Sequence, residues 1–258
     1  MSQPSASWRC IRSGAGAPAF NLACDEALLA QAHAPPVLRF YAWSPAALSL
    51  GRFQPDEPFR EPARQAGAVL VRRPTGGGAI HHDDELTFCF VGSPGRDGYP
   101  ASVEDAYERV HAGVAQGLGS LGVQVRPRGG DAPRSVSPRA ATLCFEDTTA
   151  FDLVDEAGRK LVGSAQRRTG GRVLHHGSIP LSAPSLTPGC ASVQDLAGRR
   201  VDWDELADAL EASLAAALGL RLERSDLQAD ERAAADALAV SRYGSVRPQV
   251  AAFETQTQ

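Results

Sequence analysis

An α+β fold is what the order of elements predicts. Short β-rich runs cluster in pairs, and helical segments fall between the clusters, unlike the strand–helix alternation of a parallel α/β sheet. No segment repeats with the period of about 20–50 residues that marks a solenoid. No linker is long enough to divide the 258 residues into independent domains.

Residues 20–32 carry Leu22, Leu28 and Leu29 at helical spacing and read as an amphipathic helix. Val37–Trp43 alternates around Leu38, Phe40 and Ala42, as a half-buried strand does. Ala47–Arg52 and Ala68–Arg73 are further strands, with a proline-rich connection over 54–62, and Leu86–Val91 is another. Ser102, Val103, Glu104 and Asp105 look like a helix start, and that helix runs to about Leu121. Val123–Arg126 reads as a brief strand, and the prolines and glycines of 127–140 as a mobile loop. Phe151–Val154 and Arg159–Gln166 form a hairpin whose turn is Asp155–Gly158. Val173–Leu181 is a strand; Asp202 opens a helix to about Leu218, and a last helix covers about 229–240.

Composition limits the function. Hydrophobic residues are 43% and charged residues 22%, which are globular values. No apolar run approaches the ~20 residues of a membrane span, and the N-terminus lacks the basic start and apolar stretch of a secretory signal. The net charge is −4, without the basic excess usual in nucleic-acid binders. The five cysteines are odd in number and show no CxxC spacing, which disfavours both disulfides and structural zinc. A reducing cytoplasm is the expected location. Of the 26 basic residues, Lys160 is the one lysine. Arginine replaces lysine on most surfaces but not where a compact ammonium must fit a tight pocket, so Lys160 is a candidate functional group.

Four segments carry candidate chemistry. Arg72 and Arg73 precede Pro74, Thr75, Gly76, Gly77 and Gly78 at the end of an apolar strand. Three glycines permit close approach of the backbone to a ligand, and their N–H groups can converge on an anion or a carbonyl oxygen. The segment lacks the Gly-Lys-Ser/Thr ending of a P-loop, and it also reads as an ordinary glycine-rich turn. His81 and His82 precede three acidic residues. Adjacent residues on a strand face opposite sides, so at most one histidine of this pair, or of His175 and His176, faces a given site, and no metal is expected. Lys160 enters a strand followed by Gly163, Ser164 and Ala165, small residues that leave room for a substrate chain or for close packing. Cys144 stands between Leu143 and Phe145, a context that also suits a buried, unreactive thiol.

Taken together, the segments resemble the biotin/lipoate protein ligase superfamily. The matching runs are Asn21–Leu29, Leu38–Trp43, Ser49–Gln54, Arg72–Ala79, Lys160–Arg167 and His176–Ile179, so the resemblance spans nearly the whole chain. It is greatest to the cysteine-dependent octanoyltransferases that are similar to lipoate–protein ligases: Cys144 and Phe145 stand where those enzymes keep their thiol, and Glu85–Thr87 also matches. Gly78 stands where those transferases often have arginine, and a triple glycine is common in the ATP-dependent ligases. The resemblance implies mixed and antiparallel sheets flanked by helices, a catalytic domain over 1–225, and a helical extension over 226–258 packed on it.

The chemistry implied is transfer of octanoate from the phosphopantetheine thioester of acyl carrier protein to Cys144. A lysine of a lipoyl domain, on glycine-cleavage H protein or an E2 subunit, then takes the acyl group as an amide. No cofactor is implied for that reaction. Lys160 would favour the Cys144 thiolate and steady the tetrahedral oxyanion. Arg72, Thr75, Gly76, Gly77, Gly78, His82, Gly163, Ser164, Ala165, His176 and Gly177 would bind substrate, with Asp83 orienting His82. Arg72, Arg73, Arg134, Arg139, Arg167, Arg168 and Arg172 would form a basic rim for acidic carrier proteins. In the alternative, an ATP-dependent lipoate–protein ligase, Lys160 holds the carboxylate or acyl-adenylate, magnesium is needed and Cys144 is inert. A non-catalytic carrier-binding protein would keep the same fold.

Overall fold

The computed structural model describes residues 6–130, 143 and 149–244. Within them an eight-stranded mixed sheet carries two helices on each face, and a three-stranded sheet lies beside it. In chain order the elements begin β1 (Ala6–Gly16), α1 (Pro18–Ala30), β2 (Val37–Trp43), β3 (Ala47–Leu50), α2 (Glu57–Gln65) and β4 (Val69–Arg72). Next come β5 (Ile80–His82), β6 (Glu85–Gly92), α3 (Val103–Ser120), β7 (Arg126–Pro127), β8 (Leu153–Val154) and β9 (Lys160–Thr169). The last are β10 (Arg172–Pro180), α4 (Val193–Ala197), α5 (Trp203–Leu218), β11 (Leu220–Arg224) and α6 (Ala229–Ser241).

The large sheet runs β11-β1-β2-β6-β10-β9-β8-β7, and the small one β4-β3-β5. Residues alternate between the two faces of a strand, and that alternation sorts the core. Leu38 and Phe40 of β2, with Phe88 and Phe90 of β6, pack against Val110 and Val114 of α3 and Leu210 and Leu214 of α5. Val37 and Tyr41, with Cys89 and Val91, point the other way into the layer that α1 and α6 cover. This second face also carries Asp25, Arg39, Glu85, Thr87 and His176, all buried. Buried polar groups lie on both faces, because His175 of β10 and His111 of α3 are buried on the opposite side.

Helix starts obey local rules. The Ser102, Ser192 and Asp202 side chains accept from the backbone N–H three residues on, capping α3, α4 and α5. Gly219 ends α5 in the left-handed conformation (φ 67°), which glycine adopts without a Cβ penalty. Ala235 of α6 and Tyr243, just past its end, pack on α1, and the Tyr243 hydroxyl donates to Glu26 at 2.5 Å.

Two sequence expectations need correction. The segment 54–62 is not a plain connection, because Glu57–Gln65 is helical. Pro58 lies in the first turn, where its missing N–H has no partner to lose. Pro62 interrupts the ladder, but Phe59 and Ala63 are buried in one cluster with Leu48 and Leu50, and this packing outweighs the propensity. The brief strand expected at Val123–Arg126 is the two-residue β7 at Arg126–Pro127, because Val123 goes into the core. The sequence reading also lacked β1, β5, α4 and β11.

Candidate active site

A cavity of about 270 Å³ is bounded by the α1 face of the large sheet, the small sheet and the glycine loop. Its apolar part is made by Leu22, Tyr41, Trp43, Phe53, Ile80, Tyr107 and Phe151. Most of the polar groups on its walls belong to three hydrogen-bonded systems.

The first centres on Arg73, which is 3% exposed. Guanidinium has five N–H donors. Those of Arg73 reach Thr75 Oγ1 (3.2 Å), Ser49 O (2.9 Å), Ser49 Oγ (3.3 Å), Gly76 O (2.6 Å) and Gly78 O (2.7 Å). The loop therefore wraps its carbonyls around Arg73. Gly77 has φ +91°, and a Cβ there would stand 2.9 Å from the Arg73 Nη2, which explains a glycine at this position. Two imidazoles extend the system. His176 Nε2 lies 2.7 Å from Thr75 Oγ1, and its Nδ1 3.3 Å from Asp25. His82 Nε2 lies 2.7 Å from Ser49 Oγ, and its Nδ1 2.9 Å from Glu85. Trp43 stacks on the His82 ring with centroids 4.0 Å apart.

The carboxylates behind these rings stay ionised. Burial works to raise Asp25, but the His176 hydrogen bond and the Arg39 charge outweigh it and hold the carboxyl below its usual range. Arg39, fully buried, sits 3.0 Å from Asp25. Burial likewise opposes Glu85, while His82 and the hydroxyls of Ser178 and Thr87 lower it. His176 itself is pushed down by burial and stays neutral. Its Nδ1–H donates to Asp25, so its Nε2 accepts from the Thr75 hydroxyl.

The second system is Lys160. The side chain is 2% exposed, and its ammonium lies 2.9 Å from Asp152, whose carboxylate also accepts from the Thr149 N–H at 2.7 Å. A Cβ on Gly163 would stand 2.7 Å from Lys160 Cε and 3.0 Å from Nζ. The ammonium therefore occupies the space that glycine leaves beside the cavity.

The third system crosses β9 and β10. Tyr99 Oη lies 2.8 Å from His175 Nδ1, and His175 Nε2 2.9 Å from Ser164 Oγ. Ser164 Oγ lies 2.7 Å from His111 Nε2, and His111 Nδ1 2.5 Å from Phe151 O. Burial pushes both imidazoles down, His175 well below its ordinary value.

Of the substrate-binding residues expected from sequence, Gly76, Gly77, His82, Gly163, Ser164, Ala165, His176 and Gly177 line this cavity together with Lys160. One histidine of each adjacent pair faces it: His82 rather than His81, and His176 rather than His175. Thr75 acts behind His176, and Gly78 gives its carbonyl to Arg73. Arg72 turns away and donates to Gly51 O and Gln54 O. The partner of His82 is Glu85, while Asp83 is exposed. Arg172 is buried and donates to Ala34 O, and Arg168 donates to Ala101 O and Ser102 O, so these arginines brace the fold. Cys144, Arg134 and Arg139 lie outside the described residues. Among the described residues no group of three His, Cys, Asp or Glu converges on a metal position.

The sequence reading missed Ser49, Asp25, Arg39, Asp152, His111 and Tyr99. Asp25 had a visible signal: it interrupts the apolar face of α1, where an unpaired carboxylate would be costly. His111 had none, because a polar residue on a helix reads as solvated until the opposing strand is known.

The Lipoyl protein ligase A/B catalytic domain model matches residues 17–187. The chain belongs to this family. Octanoyltransferase LipM of Kyrpidia tusciae is 38% identical over 90% of this chain and 94% of its own. LipM of Bacillus subtilis is 35% identical over 92% and 96%. The chain is accordingly of the octanoyltransferase type, an acyltransferase of lipoate biosynthesis. The solved lipoate-protein ligase A bound with ATP shares the fold at TM-score 0.74 and 24% identity, covering 93% of this chain and 96% of its own. A bipartite lipoate protein ligase from Thermoplasma acidophilum does so at TM-score 0.74 and 22%, covering 93% and 95%. No helix among the described residues is long and apolar enough to cross a membrane.

Proposed function

We propose that this octanoyltransferase works by a thioester relay. The thiolate of Cys144 attacks the octanoyl thioester of acyl carrier protein, the phosphopantetheine thiol leaves, and the acyl group is held on Cys144. A lysine amine of a lipoyl domain then attacks the new thioester, forms the amide and releases the thiol. The incoming bond is already activated, so the reading needs neither ATP nor metal.

The observation that carries this reading is an ammonium fixed on the wall of a cavity whose apolar part can take an acyl chain. Lys160 is the donor placed to hold a carbonyl oxygen as it gains charge, and Asp152 keeps it in position. Leu143, the residue before Cys144, bridges to Ala79, which stands beside the cavity-lining Ile80. The four described cysteines are unsuited to the task. All are buried, and burial pushes the Cys10 thiol up to about 12 and the Cys24 thiol to about 11, and raises Cys89 and Cys190 as well.

Binding arithmetic explains why a protein-borne substrate suits the site. Seven carbons beyond the carbonyl contribute roughly 5–6 kcal/mol at ~0.8 each, a dissociation constant of about 0.1 mM before ordering costs. Contact with the carrier supplies the remainder. The test is transfer to a purified lipoyl domain under two conditions. Octanoyl-carrier protein without ATP should give product, and free octanoate with ATP and magnesium should not. The opposite pattern, persisting in Cys144→Ser, would establish an adenylating ligase.

A further inference from the structure

The Tyr99–His175–Ser164–His111 chain has a polarity that its end fixes. Phe151 O can only accept, so His111 Nδ1 carries a proton. A neutral His111 then has a bare Nε2, which accepts a hydrogen bond from the Ser164 hydroxyl. Ser164 Oγ in turn accepts from His175 Nε2–H, and His175 Nδ1 accepts from the Tyr99 hydroxyl. Reversing any link would require a doubly protonated imidazole in a site where burial disfavours it. Ser164 therefore turns its proton away from the cavity and presents only a lone pair to it.

Location distinguishes this hydroxyl from the others. Ser49, Thr87 and Ser178 also line the cavity, but all are buried in the Arg73 system, which reaches Glu85 through His82. Thr149 lines it half-buried and gives its backbone N–H to Asp152, whereas Ser164 is the cavity hydroxyl held between two imidazoles. Ser164 is half-buried, and it follows Gly163, against which the Lys160 ammonium rests. One dipeptide holds both groups: Phe151 gives its carbonyl to His111, and Asp152 gives its carboxylate to Lys160. The same wall thus offers a fixed donor beside a fixed acceptor.

We propose that Ser164 contacts the substrate in the amide-forming step, its Oγ accepting a hydrogen bond from the N–H of the attacking lysine. The contact orients the nitrogen lone pair toward the carbonyl whose oxygen Lys160 holds. His111 and His175 are positioning residues that keep Ser164 an acceptor. The inference rests on the acyl-transfer reading above and assigns to Ser164 a role confined to its second half.

Rapid-quench kinetics on the full chain separates the halves: loading from octanoyl-carrier protein, then discharge of the isolated acyl-enzyme onto a lipoyl domain. Ser164→Ala should slow discharge at least tenfold more than it slows loading. His111→Asn keeps a donor for Phe151 O but loses the acceptor for the Ser164 proton, and it should show the same split. His111→Gln, whose carbonyl overlays Nε2, should recover part of the discharge rate. Equal losses in both halves, or discharge within twofold of wild type in Ser164→Ala, would overturn the proposal. If His111 variants melt early, Ser164→Ala decides alone. A wild type that forms no acyl-enzyme overturns the Cys144 relay instead. Direct donor-to-acceptor transfer at saturating donor then decides Ser164, and an unchanged kcat in Ser164→Ala would refute it.

Discussion

Gly163→Ala is the substitution whose effect follows most directly from geometry. The new Cβ would stand 2.7 Å from Lys160 Cε. Carbon atoms rest at about 3.5–4.0 Å, so the lysine must retreat by roughly 0.8–1.3 Å. The obstacle is the end of a flexible side chain, and the backbone of Gly163 lies outside the positive-φ region, so the strand accommodates alanine. The cost falls on the ammonium, which leaves its place 2.9 Å from Asp152. Misplacement of a reacting group by about 1 Å costs up to 10²-fold in rate. Removing one member of a buried ion pair costs about 3–5 kcal/mol, and stretching the pair should cost less. Gly163→Ala should therefore transfer octanoate roughly 10- to 100-fold more slowly while keeping a cooperative melt. Gly119→Ala is the control, because a Cβ there meets nothing within 4 Å. Transfer is read by mass spectrometry of the lipoyl domain. A Gly163→Ala enzyme within twofold of wild type would remove Lys160 from the mechanism.

Three further outcomes are expected. Asp25→Ala leaves the fully buried Arg39 without its carboxylate and should cost about 3–5 kcal/mol in urea unfolding; a loss under 1 kcal/mol would contradict the assigned pairing. His111, His175 and His176 are neutral in the folded chain, each held below the ordinary imidazole range by burial. Above about pH 6.5 they are also neutral when unfolded and contribute nothing; below it the unfolded chain binds protons first, so stability falls by up to ~1.4 kcal/mol per pH unit per group. A urea midpoint that stays flat from pH 8 to 5 would refute this. Iodoacetamide at pH 8 should alkylate Cys144 ahead of Cys10 and Cys24, whose thiols are pushed up to about 12 and about 11; comparable labelling of those two in the native protein would count against the relay.

The parts of the fold legible in the sequence are those with strong local signals. β2 stands at Val37–Trp43, as its alternation indicates, and Ser102 and Asp202 cap their helices. α2 was illegible because its helix depends on burial of Phe59 and Ala63, which proline content hides. β1 and β11 were illegible because they pair with each other across the length of the chain, Trp8 opposite Leu222. The candidate site follows the same division. The glycines, Lys160 and the cavity-facing histidines carry local motifs. Ser49 gains meaning only when β5 brings His82 to it, and Asp152 only when the register of its hairpin sets it against Lys160. The triple glycine shows the limit of motif reasoning, since its carbonyls close on Arg73.

The central claim is that octanoate rests on Cys144 between donor and acceptor. Wild-type protein mixed with octanoyl-carrier protein, without ATP or lipoyl domain, should yield a Cys144 peptide heavier by one octanoyl group. Hydroxylamine should remove that mass, and added lipoyl domain should discharge it. An unmodified Cys144 peptide from enzyme that still octanoylates the lipoyl domain would contradict the account.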